Sequence, residues 1–342
     1  MMQIMKKPFL AVCGAGYWGK NLVRHFRELG VLGGLCDSNP ATLKNYAALY
    51  PDFKVTTSFS DILKDSSITA VAIAVPTPQH YEYAKRALLA GKHVFVEKPI
   101  ALKVEHAEEL CKIAAKTKRK LMVGHLLLYH PAVLKLKEII RTKELGEIYY
   151  LYTQRLNLGQ IRKDENALWS LAPHDISVIL ELFPKKPTSV SAYGYSYIQT
   201  SKGIEDVIFM NLKFADRKAA HIHLSWLDPH KVRRITLVGS KKMVVFDDME
   251  QTDKIKIFDK GVDSSPPKED SRLASAMVLR VGEVHAPFVD NIEPLRAECL
   301  HFIECIEKDR EPHSNGENGL AVLKILQAAS KSLQSGGKSV RL

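Results

Sequence analysis

A glycine-rich run, a carboxylate and a lysine set between a strand and a proline have the residue types and spacing to do chemistry together. Gly14-Ala15-Gly16-Tyr17-Trp18-Gly19 spaces its glycines as Gly-x-Gly-x-x-Gly, after the apolar run Phe9 to Cys13 and before a helical stretch. In that context Gly14 permits a tight turn, Gly16 lets a pyrophosphate approach the backbone, and Gly19 lets helix pack closely on strand. The helix N-terminus offers N–H groups and positive potential to phosphates, and Tyr17 and Trp18 lie in the same cofactor-binding turn. Asp37 follows 18 residues after Gly19. A carboxylate there accepts hydrogen bonds from ribose hydroxyls and repels a 2′-phosphate, which favours NAD over NADP. It could also cap the helix that begins near Pro40.

His93-Val94-Phe95-Val96-Glu97-Lys98-Pro99 sets a charged pair at the carboxyl end of a buried strand, the edge where open α/β sheets bind ligands. Beside the positive nicotinamide of NAD⁺ and partly desolvated, the Lys98 amine should lose proton affinity and become a usable proton acceptor. Val75-Pro76-Thr77-Pro78-Gln79-His80 ends another such strand. It should line the ribose and nicotinamide side, with Thr77 and His80 as hydrogen-bonding groups, or else be a proline-rich connection.

Together, His80, the run Ala87 to His93, Glu97-Lys98-Pro99 and the upstream glycine turn resemble the glucose–fructose oxidoreductase / inositol dehydrogenase / MocA (Gfo/Idh/MocA) family over nearly the whole chain. The resemblance implies a CH–OH oxidoreductase with NAD as cofactor and Lys98 at the nicotinamide. It also implies a second signature, an Asp four residues before a His, at the start of a helix in the second domain. Here the sequence is Ser170-Leu171-Ala172-Pro173-His174, followed by Asp175. The histidine is kept and the aspartate is replaced by Ser170. A Lys-Asp-His proton relay therefore loses its middle member, leaving Lys98 and His174 as the catalytic acid–base candidates.

The family often carries Asn and Arg after its last parallel strand. Gly124 to Pro131 lacks both, so substrate contacts there fall to His125, Tyr129 or His130. The stretch Arg155 to Trp169 reads as a long polar loop, and such loops tend to be functional. With Ala172 to Ser177 it resembles the branch that oxidises nucleotide-linked amino sugars at C3, the UDP-N-acetylglucosamine 3-dehydrogenases, which supply a keto sugar to an aminotransferase. In that branch Arg155 and Arg162 are substrate-binding candidates, with Arg162 meeting a pyrophosphate. Asn157 or Asn166 would meet a sugar hydroxyl or acetamido group. The rival readings are a free polyol or inositol dehydrogenase, an NAD-bound regulatory protein without catalysis, and an NAD-dependent glycosidase working by transient oxidation.

The elements that must position these residues alternate at first. Strand signals at 9–13, 33–36, 70–75, 93–96 and 121–123 interleave with helical spacing at 19–29, 40–48, 81–90 and 104–116. That order predicts an α/β Rossmann domain, a doubly wound parallel sheet, over residues 1–125. From 126 to 342 we expect an α+β domain with a large, mostly antiparallel open sheet, for substrate binding and oligomerisation. Its helices fall at 131–142, 174–182, 294–307 and 320–332. Its strands fall at 148–155, 189–197, 206–214, 218–225, 234–238, 242–246 and 254–258, several alternating apolar and polar residues. Residues 261–272, with Pro266-Pro267, read as a surface loop. Ile208, Met210 and Leu212 are expected to lie exposed on the sheet and to need a partner, in a homodimer or homotetramer.

Composition narrows the classes. With 342 residues, 46% of them hydrophobic and 25% charged, the chain is long enough for two globular domains and is neither disordered nor fibrous. No apolar run reaches the ~20 residues of a membrane span, and the short run after Lys7 reads as a strand, not a secretory leader. Five cysteines without a Cys-x-x-Cys pair fit a reduced, cytoplasmic protein, and no metal site is expected. The net charge of +11 is dispersed, without a zinc-finger or RNA-binding signature. An anionic nucleotide sugar suits it better than nucleic acid.

Overall fold

The computed structural model describes residues 9–51, 53–159, 161–263 and 278–342. The chain divides into two compact units, residues 1–129 with 292–324 and residues 130–291 with 325–342. The stretch 292–324, which the sequence places in the second domain, thus belongs with the first unit. Packing within that unit explains it: Phe302 of helix α8 (Pro294–Glu307) meets Phe95 edge-on, and Phe95 in turn meets Phe26.

The first unit holds a six-stranded, fully parallel sheet in the order β3-β2-β1-β4-β5-β6. The strands are β1 (Leu10–Cys13), β2 (Leu32–Cys36), β3 (Lys54–Thr56), β4 (Ala70–Ile73), β5 (His93–Glu97) and β6 (Leu121–Gly124). The middle strands are buried throughout, which is why they read as unbroken apolar runs. Helices α1 (Gly19–Glu28), α2 (Pro40–Leu49), α3 (Phe59–Lys64), α4 (His80–Leu89) and α5 (Val104–Thr117) alternate with them. The short β3 and α3 are absent from the sequence reading, because three and six residues carry too little periodicity to register. Local signals set the boundaries elsewhere. Asn39 caps α2 ahead of Pro40, and Gly91 at φ +74° stops the chain after α4.

The second unit is built on a nine-stranded open sheet, ordered β14-β13-β12-β11-β7-β10-β9-β8-β15. Its strands are β7 (Ile148–Leu156), β8 (Ser189–Tyr195), β9 (Val207–Lys213), β10 (Ala219–Ser225), β11 (Val232–Gly239), β12 (Met243–Asp247), β13 (Ile255–Asp263), β14 (Val278–His285) and β15 (Val340–Arg341). Among the described residues all pairs in this sheet are antiparallel except β7 with β10. Helices α6 (Pro131–Arg141) and α7 (Ala167–Leu182) belong to this unit, and α9 (Gly316–Gln334) ends the helical series.

Three expectations change. Helix α7 begins seven residues before His174, because Asn166 caps it through the Trp169 N–H and its first turn is buried. Residues 167–169 are therefore helix, and Pro173 and His174 stand inside it. Ile208, Met210 and Leu212 are buried, not exposed. Strand alternation puts Phe209, Asn211 and Lys213 on the open face instead. Residues 261–263 extend β13, and the rest of the expected proline-bearing loop lies outside the described residues.

Candidate functional site

In the first sheet β1 and β4 are neighbours, and strand order runs outward in opposite directions from them. Ligands of doubly wound sheets bind at the carboxyl ends flanking such a reversal. The glycine turn follows β1, Pro76 and Thr77 follow β4, Lys98 follows β5, and His125 follows β6. Gly14 has φ +92°, and a Cβ on it would come within 2.7 Å of the Ala74 carbonyl carbon. A Cβ on Gly19 would sit 1.9 Å from the Gly14 oxygen, so only glycine lets α1 start there. A Cβ on Gly16 would meet nothing within 4 Å. That opening is what a pyrophosphate approaching backbone requires. The first turn of α1 has no acidic residue to oppose an anion.

Asp37, just past β2, accepts from the Ala15 N–H at 2.7 Å and the Asn39 N–H at 2.8 Å. It ties the glycine turn to β2, and each oxygen keeps a second lone pair for a hydroxyl. Tyr17 is 78% exposed on the turn. Trp18 donates its indole N–H to Glu97 Oε1 at 2.5 Å, and the Lys98 N–H donates to Glu97 Oε2 at 3.3 Å. Burial pushes the Glu97 carboxyl up to about 7, with the Trp18 hydrogen bond and the Lys98 charge opposing. Glu97 fits only because its partner on β6 is Gly124, where a Cβ would come within 2.9 Å of its oxygen. Lys98 itself is half-buried, in a cis peptide with Pro99. Pro76 is exposed, and Thr77 opens a short 3₁₀ turn.

His80 is in the right place for the cofactor edge but is not presented to a ligand. It is buried, its Nδ1 lies 2.8 Å from the Pro99 oxygen and its Nε2 2.9 Å from the Val75 oxygen. The two nitrogens face carbonyls of the loops that end β4 and β5, and the imidazole N–H donates to one of them, so His80 sits between those loops and braces them. Tyr129 is likewise a core residue, because its hydroxyl is held by Ser314 Oγ at 2.9 Å. His125 Nδ1 meets Asn318 Oδ1 at 2.6 Å, and burial lowers the imidazole to about 4. It is a neutral group at physiological pH, held by a partner no sequence motif announces.

Within the second unit, His174 is half-buried on α7, and its carbonyl accepts from Ser177 Oγ. The adjacent Asp175 is buried and accepts from Arg155 Nε at 2.7 Å. Arg155 therefore has its charge answered inside the protein. Asn157 Oδ1 accepts from Arg233 at 2.8 Å. Asn166 caps α7 through Oδ1 and donates to Glu205 at 2.7 Å, which gives it a structural role. Arg162 pairs with Glu165 at 3.3 Å on the exposed part of the loop. His130 caps α6 and lies 3.2 Å from Asp248.

Sequence reasoning passed over Glu298 and Arg233. Glu298 sits in the buried stripe Leu295, Glu298, Cys299, Phe302 of α8, with neither oxygen partnered among the described residues. Burial pushes its carboxyl well above the usual carboxylate range. A charge at helical spacing within an apolar stripe was the signal. Among the described residues no group of three or more His, Cys, Asp or Glu side chains could hold a metal ion.

Residues 10–125 match the family model described as "Oxidoreductase family, NAD-binding Rossmann fold", and residues 133–245 match "GFO/IDH/MocA C-terminal domain". The chain belongs to the Gfo/Idh/MocA oxidoreductase family. Within it, the chain is similar to a UDP-N-acetylglucosamine 3-dehydrogenase of Acidithiobacillus ferrooxidans, 26% identical over 256 residues, which are 75% of this chain and 78% of that one. A solved structure of that enzyme superposes with a TM-score of 0.81 at 23% identity, covering 95% and 97% of the two chains. An inositol 2-dehydrogenase of Rhizobium meliloti is 27% identical over 311 residues, covering 88% and 89%. The WlbA dehydrogenase of Bordetella pertussis, crystallised with NADH and UDP-GlcNAcA, superposes with a TM-score of 0.77 at 21% identity over 98% and 99%.

The first unit thus carries the NAD-binding Rossmann fold of a Gfo/Idh/MocA oxidoreductase, and its glycine turn and Asp37 fit that cofactor. No helix among the described residues is long and apolar enough to cross a membrane.

Proposed function

We propose that this family member is an NAD-dependent dehydrogenase of the C3 hydroxyl of a nucleotide-linked amino sugar. UDP-N-acetylglucosamine would give its 3-keto form, ahead of an aminotransferase in cell-surface polysaccharide or lipid A biosynthesis. The observation that carries the dehydrogenase reading is Lys98, half-buried at the carboxyl end of β5 on the same sheet edge as the glycine turn. The substrate reading rests on the 26% identical relative of that name. NAD⁺ supplies the hydride acceptor. With NAD bound, Asp37 would hold the ribose, Gly16 and the start of α1 would receive the pyrophosphate, and Tyr17, Trp18, Pro76 and Thr77 would line the cofactor. As the C3 hydrogen leaves with its electron pair, the hydroxyl proton passes to the Lys98 side chain or the His174 imidazole. Arg162, on the polar loop, and His125 are the substrate-binding candidates that remain. The five cysteines are free, which supports a cytoplasmic location.

The 27% identical inositol dehydrogenase favours a second reading, oxidation of a free polyol. Incubation with NAD⁺ and either UDP-N-acetylglucosamine or myo-inositol, followed by NADH absorbance with a coupled aminotransferase, separates the two. NADH formed from inositol but from no nucleotide sugar would overturn the first.

The open face of the nine-stranded sheet presents Tyr150, Tyr193, Tyr195 and Phe209. We assign it to a second copy, giving a homodimer. The exposed Leu279 and Val281 of β14 would support a further pairing to a tetramer. Solution mass of Phe209→Glu should show monomers, whereas wild-type mass in that variant would remove the sheet face as the interface.

A further inference from the structure

Register places Arg233 of β11 directly opposite Arg155 of β7. The residues that follow on the same side, Ile235 opposite Thr153 and Leu237 opposite Leu151, are buried, so both arginines point to the covered face of the sheet. Two guanidiniums on cross-strand neighbours about 4.5–5.5 Å apart at Cα repel unless an anion answers them. Asp175 answers Arg155. Arg233 finds only neutral acceptors: the Leu156 and Val232 carbonyls at 2.8 Å each and Asn157 Oδ1 at 2.8 Å. Among the described residues no carboxylate pairs with it. Asp248, next along the row, is bound by His130 and Lys254. Asp175 and Asp248 offset part of the charge from a distance. Even so, burial and the neighbouring Arg155 draw the Arg233 guanidinium down to about 10.

Such a preformed fork, oriented by an amide and half open to solvent, is built for oxyanions. We propose that Arg233, positioned by Asn157, anchors an anionic group of the substrate, either a carboxylate or a phosphate. It stands one ion pair away from the His174 helix, since Arg155 connects its strand to Asp175. The assignment deepens the nucleotide-sugar reading and rests on it for the identity of the ligand. It also gives Asn157 a specific task, holding the guanidinium instead of touching a sugar.

The test uses the full chain with NAD⁺ bound and two probes, inorganic pyrophosphate and glucuronate, titrated calorimetrically into wild type, Arg233→Gln and Arg233→Lys. Wild type should bind at least one probe, identifying phosphate or carboxylate as the source. Arg233→Gln should weaken it by about 10- to 100-fold, with partial recovery in Arg233→Lys. The KM for a nucleotide-sugar substrate should rise to a similar extent, while kcat and the NAD affinity stay near wild type. A probe affinity unchanged by Arg233→Gln, or no binding of either probe by wild type, would overturn the anchor. If the probes lose affinity but no nucleotide sugar is turned over by wild type, the anion site stands and the proposed substrate falls. Should Arg233→Gln fail to fold, the Lys variant decides: as a point charge without the fork it should bind the probe more weakly than wild type, and equal binding would overturn the proposal.

Discussion

The indole N–H of Trp18 donates to Glu97 Oε1 at 2.5 Å, joining two segments 79 residues apart. One is the glycine turn that opens α1, the other the Glu-Lys-Pro segment that presents Lys98. Trp18→Phe keeps the ring and removes the donor. We expect a loss of about 0.5–1.5 kcal/mol from this hydrogen bond, read as weaker NAD binding in a fluorescence titration. Wild-type affinity would show that the turn holds its shape without Glu97.

Glu97 also predicts how stability varies with pH. Its carboxyl is raised by burial from 4.5 to about 7, so the folded state holds the proton more tightly than the unfolded chain. This contribution is fully present below about 4.5 and is lost as pH rises through about 7, a change on the order of 3 kcal/mol. Glu298, buried with neither oxygen partnered among the described residues, acts in the same direction. Urea denaturation of the NAD-free protein at pH 5 and pH 8 should show the fall in wild type and a smaller one in Glu97→Gln. Equal falls would mean that Glu97 is hydrated in solution.

Lys98 and His174 are tested by separate removal. Lys98→Ala should cut turnover by a factor on the order of 10² or more and leave NAD binding largely intact. His174→Ala run in parallel ranks the two as proton acceptors. Turnover at the wild-type level in Lys98→Ala would make Lys98 an ordinary surface charge.

The pair Arg155–Asp175 is nearly dry, with side-chain exposures of 12% and 2%. Asp175→Asn leaves the guanidinium buried beside Arg233 with its counter-charge gone. A stability loss of about 3–5 kcal/mol is expected from chemical denaturation. A loss under about 1 kcal/mol would show that water reaches Arg155, since exposed pairs contribute that little.

The sequence by itself determined the parallel Rossmann order, the glycine turn, Asp37 beside it and Lys98 at a strand's carboxyl end. Those features depend on short-range patterns: apolar runs of strand length, glycine where a Cβ would collide, and a proline after the charge. It also determined the antiparallel second sheet, through alternation along each strand. Tertiary structure alone decided what each polar side chain is used for. His80 turned from a presented group into a clamp because two distant carbonyls converge on it. Asn166 became a cap once α7 began seven residues early, and Tyr129 was drawn into the core by Ser314. Buried hydrogen-bonding groups must find partners, and those partners come from segments far along the chain, where no local pattern records the pairing. Arg233 lies between the two cases. It lies one residue before the strand read from the sequence, and only the register, which carries β11 back to Val232 and sets Arg233 opposite Arg155, brings the two guanidiniums together.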